Sequence, residues 1–488
     1  MLKCYYSFFV CNKITSLALI INSLKFIIMK KVLLSLALVT LSLGAYAQYS
    51  WTPQGTKLAT SFGVNELSIV DANTVWLTAY DGSGAGTYPK VISKTMDGGT
   101  TWTASTVVGP IAAALVGDIA ALDANTAFIV TAPVSGTAAN GIWKTANGGS
   151  SWTKQTAYSS ASFANVIHFW DANEGFSAGD PTGTGASAKF EILRTTNGGA
   201  TWTAVASAPA PVGGIEYGLT GVKYVVGNNI WLGTTKGRIL RSSDRGVTWT
   251  ANSTPALDFG GGATGGGVDG SSAKMAFKDA TNGLLIAVDN EIDAVLYGTT
   301  DGGATWEPID ANGTWFFGDL AHVPGTQNTY VSTGVNSDAA QGTGSSFTAD
   351  GGLNWTIIDN IPGTEGGQRG KVNFLNNTTG WAGFFSDGAT GSEGILKFVG
   401  TLPTSPLAVN EASAKSNLKV YPNPAVDVVN ITANKEIKSV TIYDLSGKKV
   451  KSSTDAATIN VSSLAKGTYI VQAYYGNGSV ENTKLIKK

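Results

Sequence analysis

The chain is 488 residues long and almost neutral, with 33 basic and 34 acidic side chains, 61 glycines, 13 tryptophans and two cysteines, Cys4 and Cys11. Both cysteines lie in the first eleven residues, which excludes a disulfide framework or a thiolate metal site from the rest. Charge is unevenly spread: residues 1–47 carry five lysines and no acids, residues 418–488 ten lysines and five acids, and the body between them 18 basic against 29 acidic residues. An acidic body is a poor partner for nucleic acid or anionic lipid.

In chain order, Met29-Lys30-Lys31, the apolar run Val32 to Leu43 and the small-residue site Ala45-Tyr46-Ala47 read as a secretory signal peptide (29–47) cleaved before Gln48. The apolar core is too short to span a membrane, and residues 1–28 read as an upstream extension from a misplaced start codon. No membrane span is expected in the mature chain.

From residue 48 to 400 one phrase recurs. Thr95-Met-Asp97-Gly-Gly-Thr-Thr-Trp102 returns with its acidic or amide residue at Asn147, Asn197, Asp244, Asp301 and Asp350, and its tryptophan at Trp152, Trp202, Trp249, Trp306 and Trp355. The spacings of 50, 50, 47, 57 and 49 residues suit a four-stranded propeller blade. Before each phrase lies an apolar stretch such as Val91-Ile-Ser-Lys94 or Gly141-Ile-Trp-Lys144. Earlier still, two alternating runs flank an Asp-Ala-Asn type turn at Asp71, Asp123 and Asp171, with variants at Gly227 and Asp279. One blade is therefore strand A, turn, strand B, Gly-rich loop, strand C, phrase, strand D. Segment 371–398 repeats strands A to C without a phrase, and Tyr49-Ser-Trp51-Thr52 supplies the missing fourth strand from the other end. The expected fold is all-β: a seven-bladed propeller whose last blade is completed by the N-terminal strand. A six-bladed ring with an extra hairpin is the alternative.

The phrase resembles the Asp box of bacterial neuraminidase repeats, sortilin-type propellers, the photosystem II assembly-factor family and xyloglucan-cleaving glycosidases. Its physics is that of a turn: a short acceptor captures backbone N–H groups, glycines permit φ > 0, and tryptophan buries an apolar face. Asparagine in two copies keeps the acceptor and discards the charge, so the role of Asp97, Asn147, Asn197, Asp244, Asp301 and Asp350 is structural. Arg194 and Arg241 occupy the slot of Lys94 and Lys144 and are structural by the same analogy.

Residues 401–416, rich in proline and serine, read as a linker. The segment 417–488, with Tyr421-Pro-Asn-Pro424, Tyr443-Asp-Leu-Ser-Gly-Lys448 and Lys466-Gly-Thr-Tyr469, resembles the type A C-terminal sorting domain of the type IX, or Por, secretion system of Bacteroidetes. Its short alternating strands suit a small β-sandwich. The resemblance implies export to the cell surface or beyond, with the type IX machinery as a partner.

Function is sought where blades differ. Carboxylates Glu66, Asp118, Glu216 and Asp319 stand just ahead of strand A positions and are catalytic candidates by place alone. Tyr80, Asp81, Asp180, Trp315, Phe316, Arg369 and Asp387 are expected around one rim, where aromatic platforms beside carboxylates would suit a glycan. No Gly-x-Ser-x-Gly, Walker or metal-spaced Cys/His pattern appears, and Asp289-Asn-Glu-Ile-Asp293 lacks a calcium-loop frame, so no cofactor or metal is expected. The reading is a surface or secreted protein that binds a polysaccharide or a surface protein. The alternative is a glycoside hydrolase of the xyloglucanase type, which needs two carboxylates about 5–10 Å apart. A sialidase is excluded by the few arginines and the lack of an Arg-Ile-Pro motif.

Overall fold

The computed structural model describes residues 49–488 apart from 109–113, 134–140, 157, 160–161, 261–267, 269, 292, 336–341, 361–367, 385, 387–393, 406–417, 434–435, 445–447, 455–457 and 476–479. The signal-peptide and extension readings, and Asp387, lie outside the described residues. The chain divides into two compact units, 1–406 and 407–488.

Among the described residues of the first unit, seven four-stranded antiparallel sheets follow one another. Sheet one is Phe62–Ile69, Val75–Asp81, Val91–Thr95 and Thr103–Thr106. The first strands of sheets two to seven are Ala114–Ala121, Ala164–Phe169, Gly218–Val226, Ser272–Phe277, Asp319–His322 and Arg369–Asn376. Each first strand touches the first strand of the next sheet, and the seventh touches the first, so the sheets form a closed ring around an axial channel. Closure comes from the N-terminal strand Ser50–Gln54, which pairs antiparallel with Ile395–Val399 of sheet seven, Trp51 opposite Phe398. The open edges of a split sheet are thereby removed.

The repeated phrase forms the turn between third and fourth strands in sheets one to six. In sheet one, Asp97 Oδ1 accepts from the Thr101 N–H at 2.8 Å and Oδ2 from the Thr101 hydroxyl at 2.6 Å, while Thr95 Oγ1 accepts from the Gly99 N–H at 2.8 Å. In sheet two, Asn147 keeps the backbone acceptance from Ser151 at 3.0 Å and its Nδ2 donates to the Ser151 hydroxyl at 2.8 Å. A hydroxyl can turn from donor to acceptor, and for that reason the amide replaces the acid without loss of a bond. The phrase is clasped to its own sheet: the Gly98 N–H donates to the carbonyl of Asn73, the last residue of the Asp-Ala-Asn turn, and the same bond recurs at Gly148, Gly198, Arg245, Gly302 and Gly351. That position has φ near +70°, which glycine adopts freely and Arg245 adopts at 58°.

Neighbouring sheets are latched by a cross-strand pair. An aromatic residue on the second strand faces a cation on the third: Trp76 and Lys94, Phe128 and Lys144, Phe176 and Arg194, Trp231 and Arg241, Trp381 and Lys397. Lys94 lies 4.4 Å over the Trp76 ring and donates to the Ala124 and Gly148 carbonyls of the next sheet at 2.6 and 3.2 Å. Lys144 reaches Gly198 O, Arg194 reaches Arg245 O, Arg241 reaches Ala280 O and Lys397 reaches Gly98 O, each at 2.8–3.0 Å. Charge-assisted bonds to backbone carbonyls over a ring face are favourable where partly shielded from water.

The expected linker starts later than residue 401. Leu402 is buried against Phe374 and Phe398, its N–H donates to Asn377 O, and the Pro403 and Thr404 carbonyls accept from Thr329 and Gln327. With the Asn377 amide donating back to Leu402 O at 2.9 Å, one apolar side chain and four hydrogen bonds fasten this stretch to the ring, despite its proline-rich composition.

In the second unit a three-stranded sheet (Lys419–Tyr421, Val428–Thr432, Thr458–Asn460) and a four-stranded one (Lys449–Ser453, Ile437–Tyr443, Gly467–Tyr475, Val480–Lys487) share a core of Val429, Ile431, Val440, Ile442, Val471 and Leu485. These are the inward positions of alternating strands, as a small sandwich requires.

Candidate functional site in the axial channel

The inner strands carry charge at one level. Five residues ahead of the A–B turn stand Glu66, Asp118, Lys274, Asp319 and Lys371, and Lys223 sits four ahead of its turn. Five of the seven inner strands shift register at this level, between Val64 and Leu67, Val116 and Asp118, Ala164 and Val166, Gly218 and Lys223, and Arg369 and Val372. A bulge breaks the pairing locally and re-aims the side chain. These bulges carry Glu66 and Asp118 inside the strands rather than in the loops before them, and Asp319 is the first residue of its strand.

Three carboxylates thus meet three ammonium groups. Asp118 is fully buried, accepts from the Ile119 and Ile167 N–H groups at 2.8 Å each, and is ion-paired with Lys223 from two sheets away. Glu66 pairs with Lys371 at 3.1 Å, and the Lys371 ammonium also lies 3.4 Å from Gly221 O. Asp319 Oδ2 accepts from the Val372 N–H at 2.8 Å. Burial pushes the Glu66 carboxyl up to about 7 against the pull of Lys371. Burial opposes the charge on Lys371, but Glu66, Asp319 and Asp118 outweigh it and hold the amine above the ordinary lysine range. Lys274, at the same level, is pulled below that range by burial. Gly221 has φ of +71°, and a Cβ there would fall 1.9 Å from Glu66 Oε1, so the carboxylate crosses the channel against bare backbone.

Above this charged floor, on the side of the A–B turns, opens a cavity of about 570 Å³. Its walls include the aromatic rings Phe169, Tyr224, Phe277 and Phe374 and the polar groups Ser68, His168, Lys278, His322, Thr326 and Asn373. His168 packs edge-on to Trp170 at 5.1 Å and His322 to Tyr330 at 5.0 Å. Burial, with Lys223 and Arg245 adding to it, holds His168 down at about 3, and burial with Lys278 holds His322 at about 4. Both rings are neutral at pH 7.

A pH dependence follows. The unfolded chain takes up protons on these histidines near pH 6.5 while the folded ring refuses them, so stability falls as pH drops from about 6.5 towards 4. The phrase aspartates act lower: threonine hydrogen bonds hold Asp97 and Asp301 at about 2, so their contribution is lost only as pH falls below about 4. Thermal melts of the wild type and His168→Gln between pH 7 and 4.5 should show a flatter profile for the variant; parallel profiles would remove the assignment.

The other sequence candidates lie elsewhere. Glu216 is buried away from the cavity, accepting from Thr234 Oγ1 at 2.6 Å and the Val212 N–H at 2.8 Å, with Arg238 at 3.3 Å. Tyr80 ties sheet one to sheet seven through Ser386, accepting its N–H at 2.7 Å and donating to its carbonyl at 3.2 Å. Asp81 caps its own loop at Ser83 and Thr87. Asp180 accepts from Asn165 Nδ2 and the Gly218 N–H, and burial raises it to about 6. Trp315 stands edge-on to Phe317 at 6.3 Å, Phe316 is buried, and Arg369 is buried in an ion pair with Asp359. All of these sit at the opposite end of the channel from the cavity, and only Glu66 among the named candidates lines it. Asp289 Oδ1 caps the N–H groups of Glu291 and Asp293, a turn rather than a cation site. Among the described residues no group of three or more His, Cys, Asp and Glu is placed to hold a metal, and no helix is long and apolar enough to cross a membrane.

Residues 419–488 match the family described as the secretion system C-terminal sorting domain. The chain therefore carries a type IX export tail and is secreted or held at the cell surface. No curated protein matches the chain in sequence. Among solved structures it is similar to YCF48 bound to D1 peptide (17% identity, TM-score 0.49, covering 73% of this chain and 98% of that one). It is also similar to YCF48 from Cyanidioschyzon merolae (15%, 0.49, 72% and 98%) and to AFV00434, an ancestral GH74 enzyme (12%, 0.46, 89% and 64%).

Proposed function

We propose that this exported chain is a binding protein whose propeller holds a glycan in the mouth of its axial channel, with Met29–Ala47 serving as the signal peptide that starts export. The observation that carries the reading is the pairing of a roomy aromatic and polar cavity with a floor of committed carboxylates. Sugar rings stack on aromatic faces and their hydroxyls need polar partners, which Asn373, Ser68, Thr326 and the two neutral histidines offer.

One observation favours the hydrolase alternative: Glu66 lines the cavity and its carboxyl is pushed up to about 7, the property of a general acid. Against it stands the second carboxylate. Asp118 is fully buried within the floor, held by two N–H groups and Lys223 and outside the cavity lining, where it can neither attack a sugar nor activate water.

The test is retention of the purified chain in polysaccharide affinity gels. Asn373, exposed at the mouth, is the place to block entry. Asn373→Trp should cut retention at least about tenfold, the loss of ~1.4 kcal/mol, without lowering the melting temperature. Equal retention by the variant would move the ligand off the channel, and no retention of either would turn the search to protein partners.

A further inference from the structure

The latch between sheets is complete at every phrase but one. Phrases one to five each receive a cation from the preceding sheet: Lys397, Lys94, Lys144 and Arg194 on the carbonyls of Gly98, Gly148, Gly198 and Arg245, and Arg241 on that of Asp301 at 3.5 Å. The sixth phrase, Asp350 to Trp355, should receive it from sheet five. There the aromatic–cation pair is replaced by Leu284 opposite Gly298. The two sheets are fastened by other means: the Asn312 N–H donates to Leu353 O and the Trp355 N–H to Asn312 O, both at 2.8 Å. What remains at the missing latch is a cavity of about 380 Å³.

Its walls say what would fit. Leu284, Pro308, Ile309, Tyr330 and Leu353 give an apolar sleeve suited to an aliphatic stem. At the phrase end lies the Gly351 residue, whose counterparts Gly98, Gly148, Gly198 and Arg245 all give their carbonyls to an incoming cation. Glu307 and Asp350 supply negative charge. Glu307 is exposed and its carboxylate makes no side-chain hydrogen bond or ion pair among the described residues, and Asp350 is spent on its own turn. The cation already present, Lys278, is committed to Asn328 Oδ1 at 3.0 Å and stands 3.9 Å from Asp279.

We propose that this slot between sheets five and six is a second binding site, separate from the channel, that takes an arginine side chain of a partner polypeptide. The guanidinium donates to the Gly351 carbonyl and faces Glu307, and the stem fills the space left by Gly298. Arginine suits the site because Arg241, in the interface before it, already spans two carbonyls of the next sheet, Ala280 O at 2.8 Å and Asp301 O at 3.5 Å. The proposal goes beyond glycan binding and does not depend on it.

The probe is an acetyl-Gly-Arg-Gly-amide tripeptide titrated into the purified full-length chain, read as a saturable rise in melting temperature, with the citrulline tripeptide as control. Gly298→Arg rebuilds the latch from within: the position has no positive φ, and a Cβ meets only the Ile309 side chain, Cδ1 at 3.1 Å. This variant should melt higher than the wild type and lose the response to the peptide. Glu307→Lys, at the exposed rim, should weaken the response at least about tenfold with the fold intact. Saturable binding of the arginine but not the citrulline peptide, lost in both variants, supports the site. Absence of saturable binding, equal binding of citrulline, or binding unchanged in Glu307→Lys overturns it.

Discussion

A chain lacking residues 49–54 is expected to melt on the order of 10 °C or more below the intact protein, because the ring loses its closing strand. The strand brings more than five ladder pairs. Tyr49 is buried against the edge of Phe347 at 4.9 Å and near Phe398, and Trp51 packs on Phe374 and Phe398 while its indole N–H donates to Ser345 Oγ at 2.8 Å. Truncating a buried aromatic side chain costs about 3–5 kcal/mol, so losing Tyr49 alone is worth several degrees at ~2–4 °C per kcal/mol for a large domain, and the half-buried Trp51 adds a smaller share. Gln54 adds a tie to sheet one by donating to Gly98 O at 3.3 Å, and within sheet seven it accepts from Trp381 Nε1 at 3.2 Å. Deletion also bares the edge of Ile395–Val399, so aggregation should accompany the lower transition. Tyr49→Ala, followed by calorimetry, separates packing from edge exposure. An unchanged melt in the deletion would mean that the ring closes some other way.

The second large effect lies in the channel floor. Lys223→Met leaves the fully buried Asp118 carboxylate without its cation, which should cost about 3–5 kcal/mol, since an unpaired buried charge is far worse than a missing pair. Asp118→Asn should cost less: one of the two backbone N–H donors loses its acceptor, but the charge left unpaired is the Lys223 ammonium, which is partly exposed to the channel cavity rather than fully buried. The double variant should be more stable than the sum of the two losses predicts, by about 2 kcal/mol. Urea unfolding of the four proteins measures this directly. Strict additivity would show that the pair is not coupled.

Much of the ring was legible because its signals are local. Asp71 Oδ1 accepts the N–H groups of Asn73 and Thr74 at 2.7 and 2.8 Å, and the same cap recurs wherever Asp-Ala-Asn is written. The closing strand could be read from one dipeptide, Trp51-Thr52, standing where no phrase precedes it. The site was harder, because it is made by seven inner strands at one level and no single strand shows it. Glu66, Asp118 and Asp319 drew notice as carboxylates, yet their partners Lys223, Lys274 and Lys371 stand at the matching place in other sheets. Counting five residues back from each turn would have found most of this ring. Inner-strand bulges hid its direction, turning these side chains into the channel instead of onto a rim. The empty latch was also written in the sequence, as Leu284 and Gly298 where the phrases of sheets one to four are preceded by an aromatic residue and a cation. Its meaning needed the cross-strand register, which only the fold provides.

The most direct test of the central claim, that the channel binds and does not cleave, is reducing-sugar release measured on each polysaccharide that the affinity gels show to be retained. Retention with no release above the background of Glu66→Gln is the predicted result. Release by the wild type that disappears in Glu66→Gln would contradict it and make the chain a glycoside hydrolase.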